Sequence, residues 1–290
     1  MSSGSFTLET PHGLISITDT ALKNKLPALL LIHGNSSSSK IWKHIFASPS
    51  LSSLHRIIAF DLPGHGASSN APDPLRSYSM RGYADLAVEI LQHLNVKTVV
   101  VLGWSLGGHV GIEMLPLLHT KDGNEGKSGT QMKGLMLVGT PPSLGLAQTD
   151  RGFTFTDGHM SLAAKNDLSE EEIIGFARSC AGDQYEAWME SDVRRTDGKA
   201  RFLMWKKFAE GVGVDQRGIV ESEEYKDTLV AVVNGGAEPF VNLEYLDGIR
   251  WKNLWTGKCM RLEGLGHAPF WERPEVFEEV FVEFLGDCRV

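Results

Sequence analysis

Short apolar runs alternate with amphipathic segments along much of the chain. Leu86, Ile90 and Leu94 repeat at helical spacing, and Pro274 occupies a position suited to the first turn of a final helix. Strands and helices that alternate in this way pack as a mostly parallel sheet covered on both faces. The pattern therefore predicts an α/β fold with a mostly parallel central sheet flanked by helices. The runs interpreted as its strands are 28–32, 57–60, 99–102, 135–138, 229–233 and 260–262.

The chain opens with a different pattern. Two short apolar segments, 6–8 and 14–17, are separated by Pro11-His12-Gly13. Turn-forming residues between two such segments are typical of an antiparallel hairpin. We therefore expect two antiparallel strands ahead of the parallel sheet.

The alternation stops between residues 143 and about 225, where strand signals vanish and three helical patterns follow one another. Ser169 and Glu172 have the spacing of a capping box, 184–192 comes next, and 200–210 carries several aromatic residues. This predicts a helical cap inserted after the sixth strand. The predicted division is a core of residues 1–142 and 225–290 and a cap of residues 143–224.

A polar, glycine-rich stretch covers residues 119–132. Gly, Ser, Asn and charged residues without periodicity are typical of surface loops. We expect a loop there, between the helix after the fifth strand and the sixth strand.

Bulk composition excludes several classes of protein. The chain has 290 residues, 42% of them hydrophobic, and is long enough to bury a large core. Its net charge of −8 argues against an electrostatic grip on nucleic acid. The first ten residues lack the features of a secretory signal, and the aliphatic runs are too short to span a bilayer. We expect a soluble cytoplasmic protein with no membrane partner; the oligomeric state stays open.

The sequence also lacks the motifs of cofactor and metal enzymes. It contains no H-E-x-x-H or H-x-H pair, no Walker loop and no G-x-G-x-x-G fingerprint. We therefore predict neither a metal site nor a cofactor.

The most informative motif is Gly103-Trp104-Ser105-Leu106-Gly107. It follows the apolar run that ends at Leu102 and leads into a segment of helical periodicity. A serine on a sharp strand-to-helix turn exposes its hydroxyl above the sheet, and glycines on either side give the backbone room. The motif predicts a nucleophile elbow with Ser105 as nucleophile. The alternative is an ordinary serine in a strand–helix loop.

A serine nucleophile needs a base, and His267 has the best position among the ten histidines. It lies in Leu265-Gly266-His267-Ala268-Pro269, directly after the last predicted strand. Histidine is suited to this role because its charge changes near neutral pH. The alternative is a loop histidine that only forms structural hydrogen bonds. Structural roles are expected for His12, His44, His55, His93, His119 and His159.

The base in turn needs an acid, which in this chain order should lie between the serine and the histidine. Glu238 satisfies this condition, because it follows strand 229–233 in a glycine-containing loop. The loop 139–142 holds no acid, and Asp247 is interpreted as a solvated helix residue. We predict Glu238 as the acid, with a surface carboxylate as the alternative.

Acyl transfer also requires hydrogen-bond donors for the oxygen that becomes negative. His33-Gly34-Asn35-Ser36 directly follows strand 28–32. The predicted donors are the backbone N–H of Asn35, made accessible by Gly34, and that of Leu106 at the positive end of a helix. We expect His33 to fix the loop instead of taking part in chemistry.

These motifs together resemble the α/β-hydrolase family. The resemblance rests on His33-Gly34, on FDLPGHG at 60–66, on the elbow and on GHAP at 266–269. More narrowly, the chain is similar to the metal-independent N-acyl-homoserine lactonases of this fold, the AidH type. The stretches that carry this similarity are HGNSSS at 33–38, RSYSMRGYAD at 76–85, GWSLGGHVGIEM at 103–114, GTPP at 139–142, RTDGKA at 195–200 and EPFV at 238–241.

The resemblance implies a function. The nucleophile, acid and base of these lactonases match Ser105, Glu238 and His267, which implies opening of a lactone ring through an acyl-enzyme. Two departures stand out: Ala237 replaces an aspartate, which removes a competing carboxylate, and Phe176 replaces a tyrosine, so a hydroxyl contact to the substrate is missing. The implied partner is a small-molecule lactone or ester.

Other functions remain open from the sequence. The same triad serves carboxylesterases and hydrolases that cleave carbon–carbon bonds, and a receptor could keep the pocket without turnover. The cap aromatics could line an acyl channel or simply pack. The candidate substrate-binding residues are Gly34, Trp104, Phe153, Phe176, Tyr185, Trp188 and Trp205.

Overall fold

A twisted eight-stranded sheet forms the centre of the computed structural model, which describes residues 4–119, 129–155 and 159–288. The strand order is β1-β2-β4-β3-β5-β6-β7-β8, with β1 and β2 antiparallel and β3 to β8 mutually parallel. The strands are β1 (Gly4–Thr10), β2 (Gly13–Asp19), β3 (Ala28–Ile32), β4 (Ile57–Phe60), β5 (Thr98–Trp104), β6 (Gln131–Val138), β7 (Leu229–Gly235) and β8 (Met260–Leu262).

This sheet confirms the α/β fold with a mostly parallel central sheet predicted from the alternating pattern, and it agrees with the α/β-hydrolase fold that the resemblance implies. All six predicted parallel strands are present, and the opening hairpin pairs Gly4 with Asp19 through Thr10 with Gly13. The middle strands β3 and β4 are buried at every position. Sheets covered on both faces produce continuous apolar runs instead of alternation, which is why these strands were recognisable.

Helices cover both faces of the sheet. The longest ones outside the region between β6 and β7 have 13 or 14 residues, and each buries an apolar face. The helices before β6 are α1 (Lys43–Ala47), α2 (Pro49–Ser52), α3 (Pro74–Ser77), α4 (Met80–His93) and α5 (Leu106–Leu118), with the 3₁₀ helix η1 (Ser39–Trp42). Those after β7 are α11 (Leu243–Asp247), α12 (Pro269–Glu272) and α13 (Pro274–Asp287), with η5 (Trp255–Gly257).

Between β6 and β7 the described residues form helices joined by loops, with one isolated β-bridge from Phe153 to Val241. We name this region the helical insertion. Its helices are α6 (Leu146–Gly152), α7 (Glu170–Ala181), α8 (Ala187–Arg195), α9 (Gly198–Ala209) and α10 (Gln216–Glu221), with η2 (Met160–Ala164), η3 (Gly182–Gln184) and η4 (Glu223–Tyr225). The capping box of α7 is confirmed, because Ser169 and Glu172 each accept the other's backbone N–H. The predicted helix 184–192 is shifted, since η3 occupies 182–184 and α8 starts at Ala187.

Several elements differ from the sequence prediction. The short helices α6 and α10 were not predicted, because six or seven residues give too few turns for a periodic pattern. The predicted loop 119–132 extends too far, because β6 already begins at Gln131. Residues 120–128 of the predicted loop lie outside the described residues. The division into a core and a cap remains a prediction.

Within the described ranges, none of the helices has both the length and the apolar character needed to cross a membrane.

Candidate active site

Ser105 sits on a strained turn between β5 and α5. Its backbone has φ 54° and ψ −117°, a region that residues with a side chain seldom adopt. Both flanking glycines are required by close backbone approaches. A Cβ on Gly103 would lie 2.4 Å from the carbonyl oxygen of Gly107, and one on Gly107 would lie 2.0 Å from that of Ile32. The turn has the conformation expected of a nucleophile elbow.

His267 and Glu238 form a direct buried pair. The Nδ1 atom of His267 lies 2.8 Å from Oε1 and 2.9 Å from Oε2 of Glu238, and the side chains are 3% and 0% exposed. A carboxylate can only accept, so Nδ1 carries the proton and Nε2 is left as the basic nitrogen. This is the arrangement that a general base held by an acid requires.

Two loops bring this pair together from the ends of β7 and β8. Gly236 donates its N–H to the carbonyl of Leu262 at 2.7 Å, and Ala237 donates to that of Leu265 at 2.8 Å. The loops approach so closely at Gly235 that an added Cβ would lie 2.0 Å from the oxygen of Leu265. The strand ends, not the sequence spacing, therefore determine that Glu238 and His267 meet.

The imidazole of His267 is fixed by its surroundings. Phe240 stands edge-on to it at 4.8 Å between ring centroids, and Trp104 lies 5.5 Å away and donates Nε1–H to the carbonyl of His267. Glu272 accepts the N–H groups of Gly266 and Ala268, which flank the histidine. These contacts hold the ring and its loop before any substrate binds. The roles of Glu272 were not predicted from the sequence.

Ser105 is connected to His267 indirectly. Over the residues described, the Ser105 hydroxyl makes no hydrogen bond to the imidazole. Catalytic hydrogen bonds of this kind often tighten only in the substrate complex. The neighbouring residue Trp104 supplies the link, because its indole contacts the ring of His267 and its backbone continues into Ser105.

The loop after β3 lies directly over the nucleophile. A Cβ on Gly34 would sit 3.2 Å from Cβ of Ser105 and 2.9 Å from the Trp104 ring, so glycine alone permits this approach. Leu106 is the first residue of α5, and its N–H has no acceptor within the helix. Asn35 follows Gly34 at the same edge. Both predicted oxyanion donors thus belong to backbone segments that adjoin Ser105.

The helical insertion holds this loop by three side-chain contacts. Asn35 donates its amide to the carbonyl of Ala163 at 2.8 Å, Arg201 donates to the Ser36 hydroxyl at 3.3 Å, and Ser38 donates to the buried carboxylate of Asp192. Burial raises the pKa of Asp192, an effect that the Ser38 hydrogen bond partly opposes. The conformation of this loop, residues 33–38, therefore depends on the insertion; we name it the oxyanion loop after its predicted donor.

His33 has the structural role predicted for it. Its Nε2 accepts the N–H of Leu62 at 3.0 Å, so its Nδ1 is the protonated nitrogen and donates to the carbonyl of Gly34 at 2.8 Å. Burial lowers the pKa of His33, which favours this neutral form. The two bonds tie the loop after β3 to the loop after β4.

A narrow cavity lies between the oxyanion loop and the insertion. Asn35 and Trp104 line it on the core side, and Phe176, Cys180 and Asp192 line it from α7 and α8. Three residues predicted at the site, Asn35, Trp104 and Phe176, therefore line the same cavity. The lining is apolar apart from Asp192 and the residues of the loop.

The other predicted cap aromatics lie elsewhere in the insertion. Phe153 and Trp205 pack against each other at 5.4 Å. Tyr185 bonds to Glu190, and Trp188 stands edge-on to Trp271. Each of these four side chains therefore has a partner within the protein. That they line an acyl channel remains a prediction.

His109, one turn after Ser105 in α5, is a buried histidine that the chemistry does not use. Burial lowers its pKa to about 4, although Nδ1 lies 2.7 Å from the Gln216 amide oxygen. The unfolded chain takes up a proton below its ordinary pKa of 6.5, whereas the folded chain stays neutral until about pH 4. Stability contributed by this residue is complete above pH 6.5 and is lost as the pH falls towards 4.

For His109→Gln we expect a smaller loss of stability between pH 7 and pH 5 than in the wild type. The difference should be about 2 kcal/mol, because glutamine cannot titrate but can still donate to Gln216. Urea unfolding at both pH values measures it. Equal losses in the two proteins would contradict the prediction.

The described residues offer no cluster of metal-binding side chains. Across the three described ranges, no group of three or more His, Cys, Asp or Glu residues has the geometry to hold a metal ion.

Comparison with known proteins connects this geometry to a family. The model of the Alpha/beta hydrolase family matches residues 29–280. The structure is similar to that of the N-acyl homoserine lactonase AidH complexed with N-butanoyl homoserine, with a TM-score of 0.88, 41% identity and coverage of 98% of this chain and 97% of that one. The structure is also similar to that of a serine-to-glycine mutant of AidH complexed with N-hexanoyl homoserine lactone. The TM-score is 0.88, the identity is 41%, and the match covers 98% of both chains.

Curated relatives match a shorter stretch. An uncharacterised protein of Mycobacterium tuberculosis is 38% identical over 87 residues, which are 30% of this chain and 24% of that protein. The match thus spans about a quarter of the relative's length.

Proposed function

The chain belongs to the α/β hydrolase family, and from that premise we propose that it is a serine hydrolase that opens the lactone ring of N-acyl-homoserine lactones. Ser105 is the nucleophile, His267 the general base and Glu238 the acid. The observation that carries the chemistry is the buried contact of His267 Nδ1 with both carboxylate oxygens of Glu238, at the same sheet edge as the elbow of Ser105.

In the first half of the reaction the Ser105 hydroxyl attacks the carbonyl carbon of the lactone while Nε2 of His267 takes its proton. Glu238 stabilises the imidazolium that forms. The carbonyl oxygen becomes negative and is held by the N–H groups of Asn35 and Leu106. Collapse of the tetrahedral intermediate breaks the ring C–O bond.

The leaving alkoxide then receives the proton from His267. Because this alkoxide stays tethered to the acyl group, protonation must be prompt, or the ring would close again. A water molecule, deprotonated by His267, attacks the ester of Ser105 and forms a second tetrahedral intermediate. As the bond to Ser105 breaks, the proton on His267 returns to the serine oxygen and the N-acyl-homoserine leaves as a free carboxylic acid. The acid then ionises in water and releases one proton, so atoms and charge balance over the cycle.

Similarity supports the choice of substrate. AidH, which is called an N-acyl homoserine lactonase and was crystallised with N-butanoyl homoserine, is 41% identical over 98% of this chain. Apolar side chains of α7 and α8 line the space next to Asn35 and Trp104, and we place the contact with the acyl chain there. We take residues 143–224 as a cap over this site, because three of its contacts hold the loop that carries Asn35.

Mass spectrometry of a substrate panel tests the proposal. Purified protein should convert N-butanoyl and N-hexanoyl homoserine lactone to products heavier by one water, at rates well above those for simple aryl esters and diketones. A metal chelator should leave the rate unchanged, because no step uses a metal. Faster turnover of aryl esters or diketones would instead assign a carboxylesterase or a carbon–carbon hydrolase. Lactone binding without product would assign a receptor.

A further inference from the structure

One short segment at the end of β6 contacts both sides of the nucleophile. We name residues 138–140 the β6 exit segment. The carbonyl of Val138 accepts the N–H of Ser105 at 2.7 Å, and the hydroxyl of Thr140 donates to the carbonyl of Ser105 at 2.8 Å. Thr140 is buried, so water does not compete for this bond. The strained backbone of Ser105 is therefore held at both of its peptide groups by this segment.

The same segment supports the general base. Gly139 has φ +62°, and a Cβ built on it would lie 2.4 Å from Cε1, 2.7 Å from Nδ1 and 3.3 Å from Nε2 of His267. The edge of the imidazole that carries both nitrogens therefore occupies the space that a Cβ at position 139 would need. Glycine at this position leaves room for the ring.

A side chain of the neighbouring strand fixes Gly139. Its N–H donates to Oδ1 of Asn234 at 2.7 Å, and Asn234 is 1% exposed. Asn234 belongs to β7, whose following loop carries Glu238. The hydrogen bond therefore connects the strand that supports Ser105 to the strand that leads to the acid.

From this arrangement we infer that Gly139 and Asn234 are positioning residues that determine how the His267 imidazole is placed relative to Ser105. Neither touches the substrate; both act through the ring and through the β6 exit segment. The inference rests on the proposed function, since it assigns a purpose to the Ser105–His267 geometry. A displacement of about 1 Å between reacting groups can lower a rate about 10²-fold, so a small shift of the ring is enough.

Gly139→Ala tests the inference, with Gly257→Ala as the matched control. Gly257 has φ +69°, and a Cβ there would meet nothing within 4 Å, so the control introduces the same backbone strain without touching the ring. We expect Gly139→Ala to lower kcat about 10²-fold with KM little changed. Gly257→Ala should keep the wild-type kcat.

Two further readouts separate this inference from the proposed function. The Nδ1–H proton of His267, bonded to Glu238, should give a low-field NMR resonance that shifts or broadens in Gly139→Ala and is retained in Gly257→Ala. The rate of covalent labelling by an alkyl fluorophosphonate should fall in parallel with kcat. If the wild type itself opens no lactone, the proposed substrate is wrong, while the resonance and the labelling rate still decide the positioning role.

Asn234→Ala provides a second variant, because it frees the peptide of Gly139 without filling the space beside the ring. We expect a loss of about 10-fold in the labelling rate, equivalent to one hydrogen bond of about 1.4 kcal/mol. Equal resonances and equal labelling rates in Gly139→Ala, Asn234→Ala and the Gly257→Ala control would overturn the inference.

Discussion

Replacing Ser105 with alanine is expected to lower kcat for lactone opening at least about 10⁴-fold, with the melting temperature little changed. The substitution removes the only atom of this residue that forms the acyl bond, while the backbone hydrogen bonds to Val138 and Thr140 remain. Product formation followed by mass spectrometry measures the effect. The loss should lie in kcat, because the cavity and the oxyanion loop are unchanged.

Ser77→Ala is a suitable control for this variant. Ser77 is fully buried and lies 3.0 Å from Nδ1 of His12, so its removal also deletes a buried hydroxyl. Its kcat should stay close to that of the wild type, even if stability falls. A Ser105→Ala protein that retained a tenth or more of the wild-type rate would rule out Ser105 as the nucleophile.

The second large effect is expected for Glu238→Gln, which should lower kcat by roughly 10³- to 10⁴-fold. Glutamine has nearly the same shape but carries no charge, so the imidazolium that forms in the transition state loses its buried counter-charge. Its amide can also turn an N–H₂ group towards His267 and select the wrong tautomer. Oε1 of Glu238 accepts the N–H of Phe240 at 2.9 Å. Because the amide oxygen of glutamine can accept the same bond, we expect the loop that carries residue 238 to keep its conformation.

Glu272→Gln serves as the matched control. Glu272 accepts the N–H groups on either side of His267, so the same substitution is made beside the base but without contact to its Nδ1 atom. We expect kcat of Glu272→Gln to fall by no more than about 10-fold, which corresponds to the loss of one hydrogen bond. Similar losses in both variants would show that the acid role does not belong to Glu238.

The fold was largely predictable from the sequence, because its signals are local. Strands buried on both faces give continuous apolar runs, and β3 and β4, which are buried at every position, have the predicted bounds. The elbow was predictable for a similar reason, since the glycines at 103 and 107 are needed for contacts within a few residues of Ser105 or with the adjacent strand. Short helices such as α6 left no such signal.

Much of the support for the site could not be predicted, because it depends on contacts between distant segments. Glu272 caps the His267 loop, and Asn234 holds Gly139, yet neither residue belongs to a recognisable motif. In the sequence, Gly139 appeared only in the loop 139–142, which lacks an acid and matches the lactonases as GTPP, and neither observation indicated a contact with His267. Its contact with the imidazole arises because the ends of β6, β7 and β8 converge at one sheet edge.

The most direct measurement of the central claim is to label the protein with an alkyl fluorophosphonate and to map the modified peptide. Attack by an activated serine forms an O–P bond, expels fluoride and passes the hydroxyl proton to the base. We predict one label, on Ser105, that is blocked by excess N-hexanoyl homoserine lactone and that abolishes lactone opening in proportion to its occupancy. Label on another residue, or lactone opening by fully labelled protein, would contradict the account.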